Sequence, residues 1–185
     1  MIMHSNAIKN TKDCIINSLR AFLSNYNNYK SFCNKDYSSA QIYDKEPKAL
    51  KSFPSILIVG MNGTFIPSGL GDIASELYND NGICIGYRYA GMFELPITME
   101  IATMTTPDRD QVADLVSMAL RVLIRRQMEA EGVLIKNDMR YSGESEILYD
   151  SNKIYITTLQ FTAFTEWYQD ITFLPVTGID VNTEN

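Results

Sequence analysis

Between residues 87 and 131 the hydrophobic pattern changes period, from two to about 3.6, within one unbroken stretch. Apolar side chains fall at Tyr87, Tyr89, Phe93, Leu95, Ile97, Met99 and Ile101, with Arg88, Glu94, Thr98 and Glu100 between them. A period of two marks a strand with one buried face and one wet face. Pro96 falls on the wet face and brings no N–H to a ladder, so the pattern predicts an edge position, a bulge or a break there. Next come Thr106 as N-cap, Pro107 at the first helical position, Asp108 and Asp110 near the positive end of the dipole, and Gly132 as the stop. Within those limits Val112, Leu115, Val116, Ala119, Leu120 and Leu123 recur every three or four residues, away from Asp114, Arg121, Arg125 and Gln127. A helix over 107–131 with one apolar stripe lies across a sheet.

Further elements follow from the same test. Ile15, Ile16, Leu19, Phe22 and Leu23 predict a short amphipathic helix over 11–24, capped by Thr11 or Asp13. Residues 25–52 are rich in Asn, Tyr, Ser and Lys without sustained periodicity, which predicts an extended arm that orders on a neighbour. Ser55–Gly60 (SILIVG) is a continuous apolar run of central-strand type. Residues 61–82 carry turn chemistry at Asn62-Gly63, Pro67, Gly69, Gly71 and Asn81-Gly82, and predict a hairpin turn at 62–63 and one helical turn over 72–78. After a brief strand at 133–135, the polar stretch 136–150 predicts a protruding hairpin or loop with Ser142-Gly143-Glu144 at its tip. Over 153–168, Tyr155, Leu159, Phe161, Ala163 and Trp167 alternate with Thr158, Gln160, Thr162 and Glu166, a second long strand. The order predicts an α+β fold: a mostly antiparallel sheet with the long helix on one face, plus an N-terminal helix and extended arm. It divides into 1–52 (helix and basic arm), 53–170 (α+β domain) and 171–185 (polar tail).

Composition adds an asymmetry. The 185 residues are 45% hydrophobic, enough for one domain, and show neither a signal-peptide core nor a membrane-spanning apolar run. Three widely spaced cysteines, Cys14, Cys33 and Cys84, predict no disulfide framework and a reducing compartment. Residues 1–52 hold eight Lys/Arg against four acids, a balance of +4, which leaves -10 on the rest of a chain whose net charge is -6. A basic arm on an acidic body can dock on an acidic neighbour, including another copy.

Chemistry is sparse. The single histidine, His4, lies near the terminus, which argues against Ser-His, Cys-His and histidine-metal sites. The carboxylate pairs Glu94/Glu100 and Glu144/Glu146 read as surface acids, and GMNGTFIPSGLG fits neither phosphate-loop spacing. Arg121, Arg125 and Arg126 complement the helix's negative end. No catalytic residue, cofactor or metal is expected, so the chain reads as an assembly protein and not an enzyme.

Two segments, LPITMEIATMTTPDRDQVADLVSMALRVLI and KIYITTLQFTAFTEWYQD, in that order resemble the tail terminator (tail completion, neck) proteins of tailed bacteriophages. The first is similar to that family's strand-helix unit and the second to its closing strand, ending in the acid and tryptophan pair Glu166-Trp167. The loop around 142–146 sits where that family carries an extended hairpin, and the resemblance spans roughly residues 53–170. It implies a homohexameric ring in the virion, assembled in the host cytoplasm. Its partners would be the tail tube protein and a neck or head-completion protein, with the tail sheath as a further candidate. DNA would pass through the lumen without specific binding, and Glu94, Glu100, Asp138, Glu144 and Glu146 are the candidate lumen-facing acids. The alternatives are another virion adaptor, such as a head-tail stopper or baseplate-side protein, and a small ligand-binding or regulatory α+β module with a closed pocket.

Overall fold

The computed structural model describes residues 2–3, 6–45, 52–67, 72–149 and 151–173. Two antiparallel strands form its spine: β6, Cys84–Thr103, and β9, Asn152–Thr172, paired without a register shift from Gly86↔Thr172 to Thr103↔Tyr155. Six shorter strands line the outer edges of this ribbon. Beside β6 run β3 (Ser55–Gly60), β4 (Thr64–Pro67) and β5 (Ile73–Tyr78), all antiparallel to it. Beside β9 run β7 (Val133–Ile135) and β8 (Arg140–Tyr149), both antiparallel, and the short parallel strand β1 (Ile2–Met3). A parallel β2 (Gln41–Tyr43) adds to β3, giving a nine-stranded, mostly antiparallel sheet that is not a closed barrel. The fold is α+β.

Because the register is constant, parity along the ribbon decides which side each residue takes. Phe93, Leu95, Ile97, Met99 and Ile101 face the helices together with Leu159, Phe161 and Ala163, and all eight are buried. Each such apolar side chain withdrawn from water contributes about 1.5–3 kcal/mol. Two helices close this face: α1, Ala7–Leu23, and α2, Thr106–Met118. Ile15, Leu19 and Leu23 from α1 and Val112, Val116 and Leu120 from α2 and its extension join the same core.

Several expectations are corrected. The strand is not broken at Pro96: the carbonyl of Pro96 accepts from the Met61 N–H (2.8 Å), so the missing donor points into the gap between β3 and β4 and costs no bond to β9. The N-cap is Thr105, whose hydroxyl accepts from the Asp108 N–H. The long helix is interrupted by a π turn, Ala119–Leu123, closed by Ile124 N–H to Ala119 C=O, and resumes as α3, Arg125–Ala130. The extra residue rotates Val122 and Leu123 outward, 66% and 36% exposed, and carries the buried stripe on through Leu120, Ile124 and Met128.

Neither Thr11 nor Asp13 caps α1, which begins at Ala7; the Thr11 hydroxyl instead donates to the Ala7 carbonyl. The described part of the predicted arm is not extended, because Tyr29, Cys33 and Tyr37 are buried in the same core as the strands. Residues 72–78 form β5, a strand and not a helical turn, held by its pairing with β6. Asn62-Gly63 is no hairpin: β3 and β4 run collinear along β6, and Gly63 is needed because any Cβ there would strike the Phe93 ring. The β8–β9 hairpin turns at 150–151, while Ser142-Gly143 forms a bulge with Gly143 at φ +79°. His4 and the tail beyond residue 173 lie outside the described residues.

Candidate assembly surfaces

The side of the sheet away from the helices is uncovered by other elements among the described residues, and two of the predicted acids lie on it. Glu94 is cross-strand from Phe164 and Glu100 from Thr158. Lys136 reaches Glu94 at 3.7 Å, while its ammonium sits 5.4 Å from the Phe164 ring centroid. Asp138 borders this side but is committed to the fold: it accepts from the Thr162 N–H (3.0 Å) and hydroxyl (2.6 Å). Burial pushes its carboxyl up, but these bonds outweigh burial and hold it below the ordinary value. Met61, Pro96, Thr98, Arg140 and Gln160 complete a shallow depression of about 250 Å³ here.

Glu144 and Glu146 face the other way. Glu144 is level with Thr157 and Glu146 with Tyr155, positions on the helix side of the ribbon. There Arg109 of α2, its side chain 6% exposed, bonds Asp110 at 2.7 Å and Glu144 at 2.9 Å. One turn further on, Asp114 accepts from the Tyr141 hydroxyl at 2.8 Å. Together these bonds fasten the bulged strand β8 to α2. Glu146 pairs with Lys153 across the hairpin at 3.4 Å. The five acids therefore do not form one surface; they divide between the two sides of the sheet.

Arg109 was missed as a structural residue, yet it carried a signal. It stands three and four positions before Val112 and Ala113 and so falls on the apolar stripe. A charged side chain there has to be buried with partners.

The ends of the ribbon stand apart from the helical layer. At about 3.3 Å per residue the 20 residues of β6 span roughly 65 Å. At 1.5 Å per residue the 17 residues of α1 span roughly 25 Å. The helices therefore cannot cover both ends. At one end β5, the start of β6 and the end of β9 form a three-stranded wing; at the other, β8 and the start of β9 form a hairpin. β5 pairs only with β6 and β8 only with β9, so their outer edges carry no further strand among the described residues. Ile147 and Leu148 are 44% and 78% exposed on the second edge.

Among the described residues no group of three or more His, Cys, Asp or Glu is placed to hold a metal, and no helix is long and apolar enough to cross a membrane. The chain matches no family model, and no curated protein matches it.

Proposed function

We propose that the chain is a structural, non-enzymatic protein of a tailed-phage virion: a tail terminator whose copies close into a ring on the tail tube and join it to the neck. The observation that carries this reading is the mismatch between the sheet and its cover. A ribbon whose two ends lie beyond the helices, on opposite edges, offers two different open edges per subunit. Such edges invite pairing by other chains, and two unlike edges on one subunit suit a head-to-tail ring. The resemblance of the strand-helix unit and the closing strand gives the ring its proposed place and its sixfold count.

In this reading the tail tube protein and a neck or head-completion protein are the axial neighbours, the sheath is a further one in contractile tails, and DNA crosses the lumen unbound. The acids divide between two faces, so the lining is narrowed to one group, Glu94 with Glu100 or Glu144 with Glu146.

Electron microscopy of the purified protein, with and without tail tubes, tests the proposal alongside native mass spectrometry. Six-membered rings, or density capping one tube end, is the expected result. Density at the baseplate end would replace the terminator with an adaptor, and a dimer indifferent to tubes would remove the virion reading.

A further inference from the structure

The apolar alternation of β6 begins before its helical cover does. Ile83, Ile85, Tyr87 and Tyr89 continue the helix-side parity, with Ile171 cross-strand from Tyr87 and Ile73 cross-strand from Tyr89. The Phe173 ring meets Tyr87 edge-on at 5.3 Å. Yet Ile73, Ile83, Ile171 and Phe173 are each 50–60% exposed. The rim is acidic: Asp72, Glu76 and Asp80 belong to the wing, and its cation, Arg88, is taken up by Asp170 through two bonds of 2.7 Å.

The helical layer carries a patch of the opposite sign. Between the end of α1, the turn at Tyr26–Asn28 and the start of α3 lies a groove of about 400 Å³, lined by Ala21, Phe22, Asn28, Leu123, Ile124 and Gln127. The π turn presents Val122 and Leu123 beside it. Arg121, Arg125 and Arg126 sit on the same stretch of chain, Arg125 bonded to Glu129 at 2.7 Å and Arg126 exposed.

We propose that the acidic, apolar wing of one copy docks on the basic, apolar groove beside the π turn of a second copy. The charges are complementary, and the contact continues a core face that the single chain leaves partly uncovered. Wing and groove are different surfaces, so the contact is heterologous and each copy supplies one of each, which propagates until a ring closes. The inference rests on the ring reading and names the surfaces that make the ring.

The test uses a wing variant, Ile83→Asp with Phe173→Asp, and a groove variant, Val122→Asp with Leu123→Asp. All four positions are exposed, and circular dichroism checks that each variant keeps its fold. The wild-type chain is expected to associate as its concentration rises, with each variant monomeric under the same conditions. An equimolar mixture is expected to give a heterodimer and nothing larger by native mass spectrometry, because one intact wing and one intact groove remain between them. As an independent arm, Glu76→Arg and Arg126→Glu each weaken association by about tenfold, and the two together in one chain recover most of it. A wing variant that still forms wild-type rings removes this contact and leaves the ring reading intact. Two monomeric variants that do not complement remove the wing-to-groove pairing. A wild-type chain that stays monomeric at every concentration removes the pairing and the solution ring together.

Discussion

Asp108 shows how much of the fold one side chain can tie together. It accepts from Lys35 Nζ at 2.6 and 2.7 Å, from the Thr105 hydroxyl at 2.9 Å and from the Tyr37 hydroxyl at 3.1 Å. The helix N-terminus, its cap and the segment before β2 thus meet at one carboxylate. The Lys35 bond, foremost, holds the carboxyl below its ordinary value against the upward push of burial. A carboxyl depressed in the folded state stabilises the protein above the unfolded pKa of about 3.9, and that stability is lost as pH falls through the folded value. Asp108→Asn is therefore expected to cost about 1–2 kcal/mol at pH 7. It should also flatten the loss of stability below about pH 4. Urea melts of both chains from neutral to acid pH check this; parallel curves would mean that the carboxylate charge is not the link. Asp138 shifts in the same direction, so the variant removes only part of the acid slope.

Among the elements, β8 is held least by its own sequence pattern. Nearly every residue of it is exposed and its register slips by one at the Ser142-Gly143 bulge. The Arg109–Glu144 and Tyr141–Asp114 bonds are its tether to the helical layer. Arg109→Ala removes charge-assisted bonds from a buried position but leaves exposed partners that water can solvate, so the expected cost is about 1–3 kcal/mol. Hydrogen exchange should quicken in β8 and stay unchanged in the middle of β6. Equal protection of β8 in both chains would assign its order to the β9 ladder alone.

The same contrast explains what was legible in the sequence. β6, β9 and the helical stripe bury one face over many residues, so their period shows in the chain itself. The strands β4 and β5 take their conformation from β6, which the composition of 61–82 cannot reveal. The π turn leaves Leu123 in its apolar place in the sequence while turning it toward solvent. Tyr29 and Tyr37 enter the core from a polar, aperiodic stretch. At the candidate surfaces the acids were visible as residues, but the side each one takes follows from the pairing register, which the sequence does not state.

At the scale of the whole molecule, that register turns a vague expectation into a choice between two faces. If the uncovered side of the sheet looks into the channel, Glu94 and Glu100 meet the DNA; if the helix side does, Glu144 and Glu146 do. Carboxylates on a channel wall repel the phosphate backbone and keep it from sticking, an effect that salt screens within about 8 Å at physiological ionic strength. Glu94→Gln with Glu100→Gln, and separately Glu144→Gln with Glu146→Gln, are expected to leave assembly intact. The pair that lines the channel should slow DNA release from assembled particles, most clearly at low salt, and the other should not. The two sets differ in a further respect: Glu144 is also the partner of Arg109, so its variant carries a stability loss that thermal melting registers independently of ejection. Slowed release with an unchanged melting temperature would place the uncovered sheet face on the channel. If neither pair slows release, the acidic lining is refuted and the negative body charge serves the outer surface alone.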